Sequence, residues 1–260
     1  MYSIFEEMFP IHFSRLFSTD EENGFIESLK ANTELYVFSG ILRDFLLGYN
    51  KEIPRDFDFV VHELNKKTKR IISKYLVRQT QFGGYKCQIN NKDIDIWAIQ
   101  DTWAIKKYRP FYLQNYLPLT AFFNITAAVY CLNTNKLLIH DSFKVFLEDK
   151  KHRKLDIVLK DNPFPALCVI KTIELKEKFD LPLSDDLKNY LIRYNQILTE
   201  SDYTDVQMKH YNMIRYDYST IQNRIDNLQN PHRFVDKLKS YDSQMLLFDK
   251  QEITKSEALV

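Results

Sequence analysis

The chain has 260 residues, enough for one large or two modest domains, with 45% hydrophobic and 14% aromatic residues to build a core. Its 36 basic and 35 acidic residues leave a formal charge of +1, so bulk electrostatics mark neither a nucleic-acid binder nor an acidic tail. Nothing approaches a membrane span, and the N-terminal run MYSIFEEMFPIHF carries acids and a proline where a secretory signal would be apolar. Cys87, Cys131 and Cys168 are odd in number and lack metal-ligand spacing, which predicts reduced thiols in a cytoplasmic protein.

Residues 1–33 read as a helical preface, in which Asp20, Glu21 and Glu22 open a helix through Phe25, Ile26 and Leu29. From Leu35 to Val61 the pattern is strand, Ser39-Gly40 turn, a short helix Ile41–Leu47 closed by Gly48, and a second strand bearing Asp56 and Asp58. Alternation along that strand puts both carboxylates on one face while Phe57 and Phe59 point to the core. Two carboxylates on one strand face are costly unless a cation sits between them, and a divalent metal with a phosphate-bearing substrate fits. The turn supplies free N–H groups at a helix start, suited to phosphate.

A helix over Lys66 to Leu76, a hairpin opened by Gly83-Gly84 and a strand Tyr85–Ile89 follow, with an Asn90-Asn91 turn returning through 93–99. In that returning strand Asp95 sits between Ile94 and Ile96, with Asp93 on the same face nearer the turn. Further strand-like segments flank the Asn133-Thr134-Asn135 turn. Beyond Lys150 the spacing is helical over 165–180 and 185–199, with Ser184 as a cap, and a long polar helical pattern runs from Asp205 to Leu247. The expected organisation is an α+β head over residues 1–150, preface included, followed by an all-helical neck over 151–260.

The run Ser39-Gly40-Ile41-Leu42-Arg43-Asp44-Phe45-Leu46-Leu47-Gly48, followed by Asp56-Phe57-Asp58, resembles the head of the class II CCA-adding tRNA nucleotidyltransferases and bacterial poly(A) polymerases, a branch of the DNA polymerase beta-like superfamily. Phe123-Asn124-Ile125-Thr126-Ala127-Ala128, Leu138–Asp141 and Asn162 through Leu183 resemble later family segments, so the likeness covers about 35–190. It implies a polymerase beta-like head with a mixed sheet and a helical neck. It also implies transfer of a nucleoside monophosphate from an NTP to a hydroxyl, most naturally an RNA (tRNA) 3′ end. Two Mg²⁺ or Mn²⁺ ions are expected on Asp56, Asp58 and Asp95, the catalytic carboxylates. Ser39, Gly40 and Arg43 are expected to meet the triphosphate, with Asp44 holding Arg43 in place. Arg55, Lys51, Lys106, Lys107 and Arg109 can extend the positive surround, and His62 lies close to the second strand.

The departures are as specific as the matches. Relatives carry Arg-Arg-Asp where this chain has Thr120-Ala121-Phe122, Arg where it has Gln100, and neck arginines at Pro165 and Cys168, with Lys171 alone keeping a charge. The expected consequence is a nucleotide choice looser than that of CCA-adding relatives, or set by different residues. Other readings are a protein or small-molecule hydroxyl as acceptor, and an inactive nucleotide-binding module. Tyr211, Arg215, Tyr216, Tyr218 and Arg224 form a mix of rings and cations that can either grip RNA or make an ordinary helix surface.

Overall fold

The computed structural model describes residues 2–38, 40–49, 54–109 and 113–229. Two compact units divide after Asn162. The first extends past the expected limit at 150 because residues 154–158 are tied back to its sheet. Val158 donates its N–H to the Phe122 carbonyl at 2.8 Å, and Asn124 exchanges backbone and side-chain hydrogen bonds with Lys154 and Asp156.

The first unit is built on a seven-stranded mixed sheet. Its strands are β1 (Leu35–Phe38), β2 (Asp56–Val61), β3 (Leu76–Gln79), β4 (Tyr85–Ile89), β5 (Lys92–Ala98), β6 (Ala128–Cys131) and β7 (Lys136–Ile139), in the order β3-β4-β5-β2-β1-β6-β7. All described pairings are antiparallel except β2 with β5. Seven α-helices accompany them among the described residues: α1 (Tyr2–Leu16), α2 (Asp20–Lys30), α3 (Gly40–Leu46), α4 (Lys66–Ile72), α5 (Trp103–Tyr108), α6 (Leu113–Tyr116) and, after β7, α7 (Asp141–Glu148).

One face of the sheet is covered by α1. Phe9, Phe13 and Phe17 recur every four residues, form one stripe, and are almost fully buried. Their rings meet Tyr130, Phe59 and Phe57, with centroids 4.6 Å apart for Phe9–Tyr130 and 4.7 Å for Phe17–Phe57. Burial of each phenyl ring contributes roughly 2 kcal/mol, so this stripe seats the helix. Pro10 lies inside α1 and has no N–H to give the carbonyl of Glu6, four residues earlier. The Tyr130 hydroxyl donates to that carbonyl at 2.8 Å.

The second helix is tied down by a residue with two tasks. Thr19 caps α2 and Glu22 closes a reciprocal capping box. The Glu22 carboxylate is also buried, and it accepts from Asn90 Nδ2 at 3.0 Å and pairs with Lys92. One carboxylate thus fastens α2 to the β4–β5 turn. That turn is a two-residue hairpin loop with Asn90 at φ 52°, as the Asn-Asn pair implies.

The second unit begins at Pro163 and is helical throughout its described part: α8 (Pro165–Phe179), α9 (Asp185–Asn195), α10 (Glu200–Tyr211) and α11 (Tyr218–Gln229). Pro165 starts α8 where a missing N–H costs nothing, and Ser184 caps α9 as expected. Within the stretch from Asp205 expected to be helical, α10 ends at Asn212, whose φ is 57°, and α11 follows. Residues 230–247 of that stretch lie outside the described residues. No described helix is long and apolar enough to cross a membrane, and all three cysteines are free and buried.

Candidate active site

Strand register builds the site. In the parallel pair, Asp58 lies opposite Asp95 and Asp56 opposite Asp93. In-register neighbours share a face one strand spacing apart, about 4.8 Å, so four carboxylates crowd the face opposite α1. The row through Asp58 crosses all seven strands: Arg78, Lys86, Asp95, Asp58, Phe38, Val129 and Leu138. Two cations flank the acids on one side, and on the other the row passes into an apolar cluster of Tyr36, Val60, Ile99, Ile105, Leu117, Val129 and Cys131. The carboxylates therefore stand at the border of a packed core rather than on an open surface.

Their surroundings separate them. Asp93 pairs with Lys86 at 3.3 Å and accepts from Gln88 Nε2 at 3.3 Å, so its charge is compensated within the hairpin. Asp95 is half-buried, and burial pushes its carboxyl above the usual range; Lys86 and Arg78 oppose that shift, while Asp56 and Asp93 add to it. Asp56 holds the guanidinium of Arg55. Among the described residues no three His, Cys, Asp or Glu side chains stand close enough together, as placed, to cage an ion. The donors on this face are nonetheless all carboxylate oxygens with unfavourable mutual repulsion, a set that suits Mg²⁺ or Mn²⁺ and not a soft metal.

The turn before α3 brings in the next residues. Gly40 opens α3, and a methyl group added to it would lie 3.9 Å from Nη2 of Arg43, so the guanidinium folds back over the helix start. Arg43 Nε donates to Asp44 at 2.7 Å, giving Asp44 the holding role expected of it. Gly48 ends the helix at φ 80°. Ser39 and Lys51, both expected near phosphate, lie outside the described residues.

Several residues expected in the positive surround have other work. Lys106 pairs with Asp101 at 2.8 Å and donates to the Phe82 carbonyl at 3.2 Å, while Lys107 and Tyr108 share Asp161. Arg109 ends α5 with φ 48°, and His62 faces Glu34 at 3.7 Å. In the second unit Arg215 lies 4.3 Å from the Tyr211 ring, and both side chains bond Glu174. Tyr216 and Arg224 are held by Glu177, and Lys171 by Glu174 at 2.9 Å. Apart from the Lys171 pair within α8, these cations and rings tie α8 to α10, to the connection over 212–217 and to α11, the ordinary helix-surface alternative.

Sequence reasoning missed the wall beside the acids. A pocket of about 280 Å³ is lined by Asp58, Asp95, Phe82, Trp97, Trp103 and Asp101 together with the Thr80–Gly84 turn. Gly84 permits it: an added methyl would lie 2.9 Å from the Ile96 carbonyl and 3.0 Å from Trp97 Cβ, so only glycine lets the turn approach β5 this closely. The Gly83-Gly84 pair was the available signal, but it reads as a hairpin turn until the neighbouring strand is known.

No protein-family model and no curated protein matches this chain. Solved structures do match in fold. A CCA-adding enzyme solved with CTP superposes with a TM-score of 0.58 at 17% identity, over 85% of this chain and 54% of that one. The Thermotoga maritima CCA-adding enzyme complexed with tRNA gives 0.55 at 19% identity, over 83% and 53%. A tRNA nucleotidyltransferase complexed with a primer tRNA and an incoming ATP analog gives 0.51 at 18%, over 70% and 54%. The chain thus has the α+β fold of the nucleotidyltransferase head with helices following, and spans about half the length of these proteins.

Proposed function

We propose that the protein is a nucleotidyltransferase that moves a nucleoside monophosphate from an NTP to an acceptor hydroxyl, with an RNA 3′ end, such as that of a tRNA, as the acceptor. The observation that carries this reading is the in-register pairing of Asp58 with Asp95 beside Asp56, on a fold whose solved examples include complexes with CTP, ATP or tRNA. Asp56, Asp58 and Asp95 would hold two Mg²⁺ or Mn²⁺ ions, which supply charge neutralisation at the triphosphate and lower the pKa of the attacking hydroxyl. Arg43, lying over Gly40, binds and orients the triphosphate, with Ser39 as a further donor. Asp95, in register with Asp58, completes the carboxylate set and helps the acceptor hydroxyl lose its proton. The acceptor oxygen bonds to the α-phosphorus as the bond to the bridging oxygen breaks, and pyrophosphate leaves.

The test is incubation of the purified protein with each labelled NTP, Mg²⁺ or Mn²⁺, and separated RNA, protein and small-molecule fractions of a lysate. Label in RNA, abolished by Asp58→Ala, is the expected result. Label in protein or in small molecules would replace the RNA acceptor, and no transfer to any fraction would refute the enzyme reading.

A further inference from the structure

The pocket beside Asp58 and Asp95 has a composition that phosphate chemistry does not require. Trp97 lies two residues beyond Asp95 on the same strand face and is locked in place. Its Nε1 donates to Thr102 Oγ1 at 3.0 Å, and its ring meets Phe38 edge-on, centroids 6.2 Å apart. Trp103 opens α5 and is half-buried, with Lys107 Nζ 5.1 Å from its ring centre. Phe82 closes the third side, and its turn is braced by the Lys106 bond to its carbonyl. The walls are thus aromatic on three sides, with Trp97 fixed by its hydrogen bond.

Three polar groups of the rim already have partners within the fold. Thr80 Oγ1 accepts from the Gly84 N–H at 3.0 Å, Thr102 Oγ1 accepts from Trp97, and Asp101 holds Lys106. At about 280 Å³ the space lies just under the usual size of ligand pockets, roughly 300 Å³ upward, so it suits one ring system and not a length of polymer.

We infer that this pocket takes a nucleobase, held by stacking against Trp97 and Trp103 and read by its plane more than by its hydrogen-bonding edge, an inference that rests on the nucleotidyl-transfer reading for the identity of the ring. Stacking is tolerant of base identity because every base has a π face. The base belongs either to the incoming NTP or to the terminal residue of the acceptor, and the two are separable by experiment.

Trp97 and Trp103 are the chain's two tryptophans, so intrinsic tryptophan fluorescence reports on this pocket alone. In one arm the protein is titrated with ATP, CTP, GTP or UTP against inorganic tripolyphosphate. In the other it is titrated with a short single-stranded RNA against the same RNA with an abasic 3′ residue. The expected result is quenching that requires the base in one arm, with similar affinity for all four bases. Trp103→Ala should weaken it about 10-fold, Trp103→Phe should restore it, and Trp97 remains as the reporter in both. Quenching independent of the base in both arms, or unaltered binding in Trp103→Ala, would overturn the inference. Labelled transfer measured on the same preparations separates the two claims. Transfer without base-dependent quenching refutes the pocket, whereas base-dependent quenching without transfer refutes the enzyme reading and leaves the pocket standing.

Discussion

Asp58 and Asp95 face one another in register across β2 and β5, the parallel pair of the described sheet, with Lys86 next in the row and Phe38 on the far side. Burial of Asp95 and the charges of nearby Asp56 and Asp93 disfavour its ionised form, and neither effect serves packing. Such strain is characteristic of a site kept for chemistry. Asp56→Ala and Asp58→Ala are therefore expected to abolish nucleotidyl transfer while leaving the circular dichroism spectrum and the thermal transition near those of the parent. Full activity in either variant would remove the residue from the site.

Asp95 gives a prediction of opposite sign for stability. Its carboxyl titrates above the usual range in the folded chain, so between the unfolded and folded values the native state binds more protons than the unfolded state. Stability contributed by the protonated form is lost as pH rises through the folded value, and at neutral pH the ionised group is a net cost. Asp95→Asn should raise the melting temperature at pH 7, by an amount that vanishes below pH 4, while lowering transfer by orders of magnitude. Asp93→Asn, whose parent carboxylate is already paired with Lys86, should do little to transfer. A larger loss at Asp93 than at Asp95 would mean that the roles are reversed.

How far the sequence disclosed this site depended on distance along the chain. Asp56, Asp58, the Gly40–Gly48 helix and the Asn90-Asn91 hairpin are local patterns, and alternation or turn chemistry reveals them. The edge strand β3 did not show, because Leu76-Val77-Arg78-Gln79 is exposed along its whole length and lacks the alternation of a half-buried strand. The apposition of Asp58 with Asp95 joins residues 37 positions apart; the expected pairing of the Asp95 strand beside the Asp56–Asp58 strand came with the family resemblance, since no local pattern encodes it. The aromatic pocket needs a close approach that only Gly84 allows. Arg215 and Arg224 left two readings open in the sequence, an RNA grip or an ordinary helix surface, because the partners that occupy them, Glu174 and Glu177, lie 41 and 47 residues earlier.

Pro10 and Tyr130 offer a test of how α1 is held. The proline leaves the Glu6 carbonyl without its helical partner, and the Tyr130 hydroxyl takes that place at 2.8 Å. Tyr130→Phe keeps the ring contact with Phe9 but leaves a carbonyl unsatisfied, which should cost about 1–3 kcal/mol in urea unfolding with an unchanged slope. In a Pro10→Ala background the restored N–H satisfies Glu6, and the same substitution should then cost much less. Equal costs in the two backgrounds would show that the hydroxyl serves something other than the proline gap.

Glu22 sets the behaviour in acid. Burial alone would raise its carboxyl, but hydrogen bonds from Lys92, Asn90 and the Thr19 backbone, with the Lys92 charge, outweigh it and lower the group from 4.5 to about 2. The folded value lies below the unfolded one, so its contribution is fully present above about pH 4.5 and is lost as pH falls toward 2. The shift corresponds to a contribution on the order of 3 kcal/mol at neutral pH. Glu22→Gln keeps the shape but removes the charge, leaving the half-buried Lys92 ammonium without its partner and the capping box weakened. The variant should lose several kcal/mol at pH 7 in denaturant titrations and very little at pH 2, where the parent carboxylate is already being protonated. The double variant Glu22→Gln with Lys92→Met, which removes both charges, should recover part of the loss, because an unpaired half-buried cation costs more than an absent ion pair. A loss of the same size at pH 7 and pH 2 would show that Glu22 acts through its shape and hydrogen bonding rather than its charge.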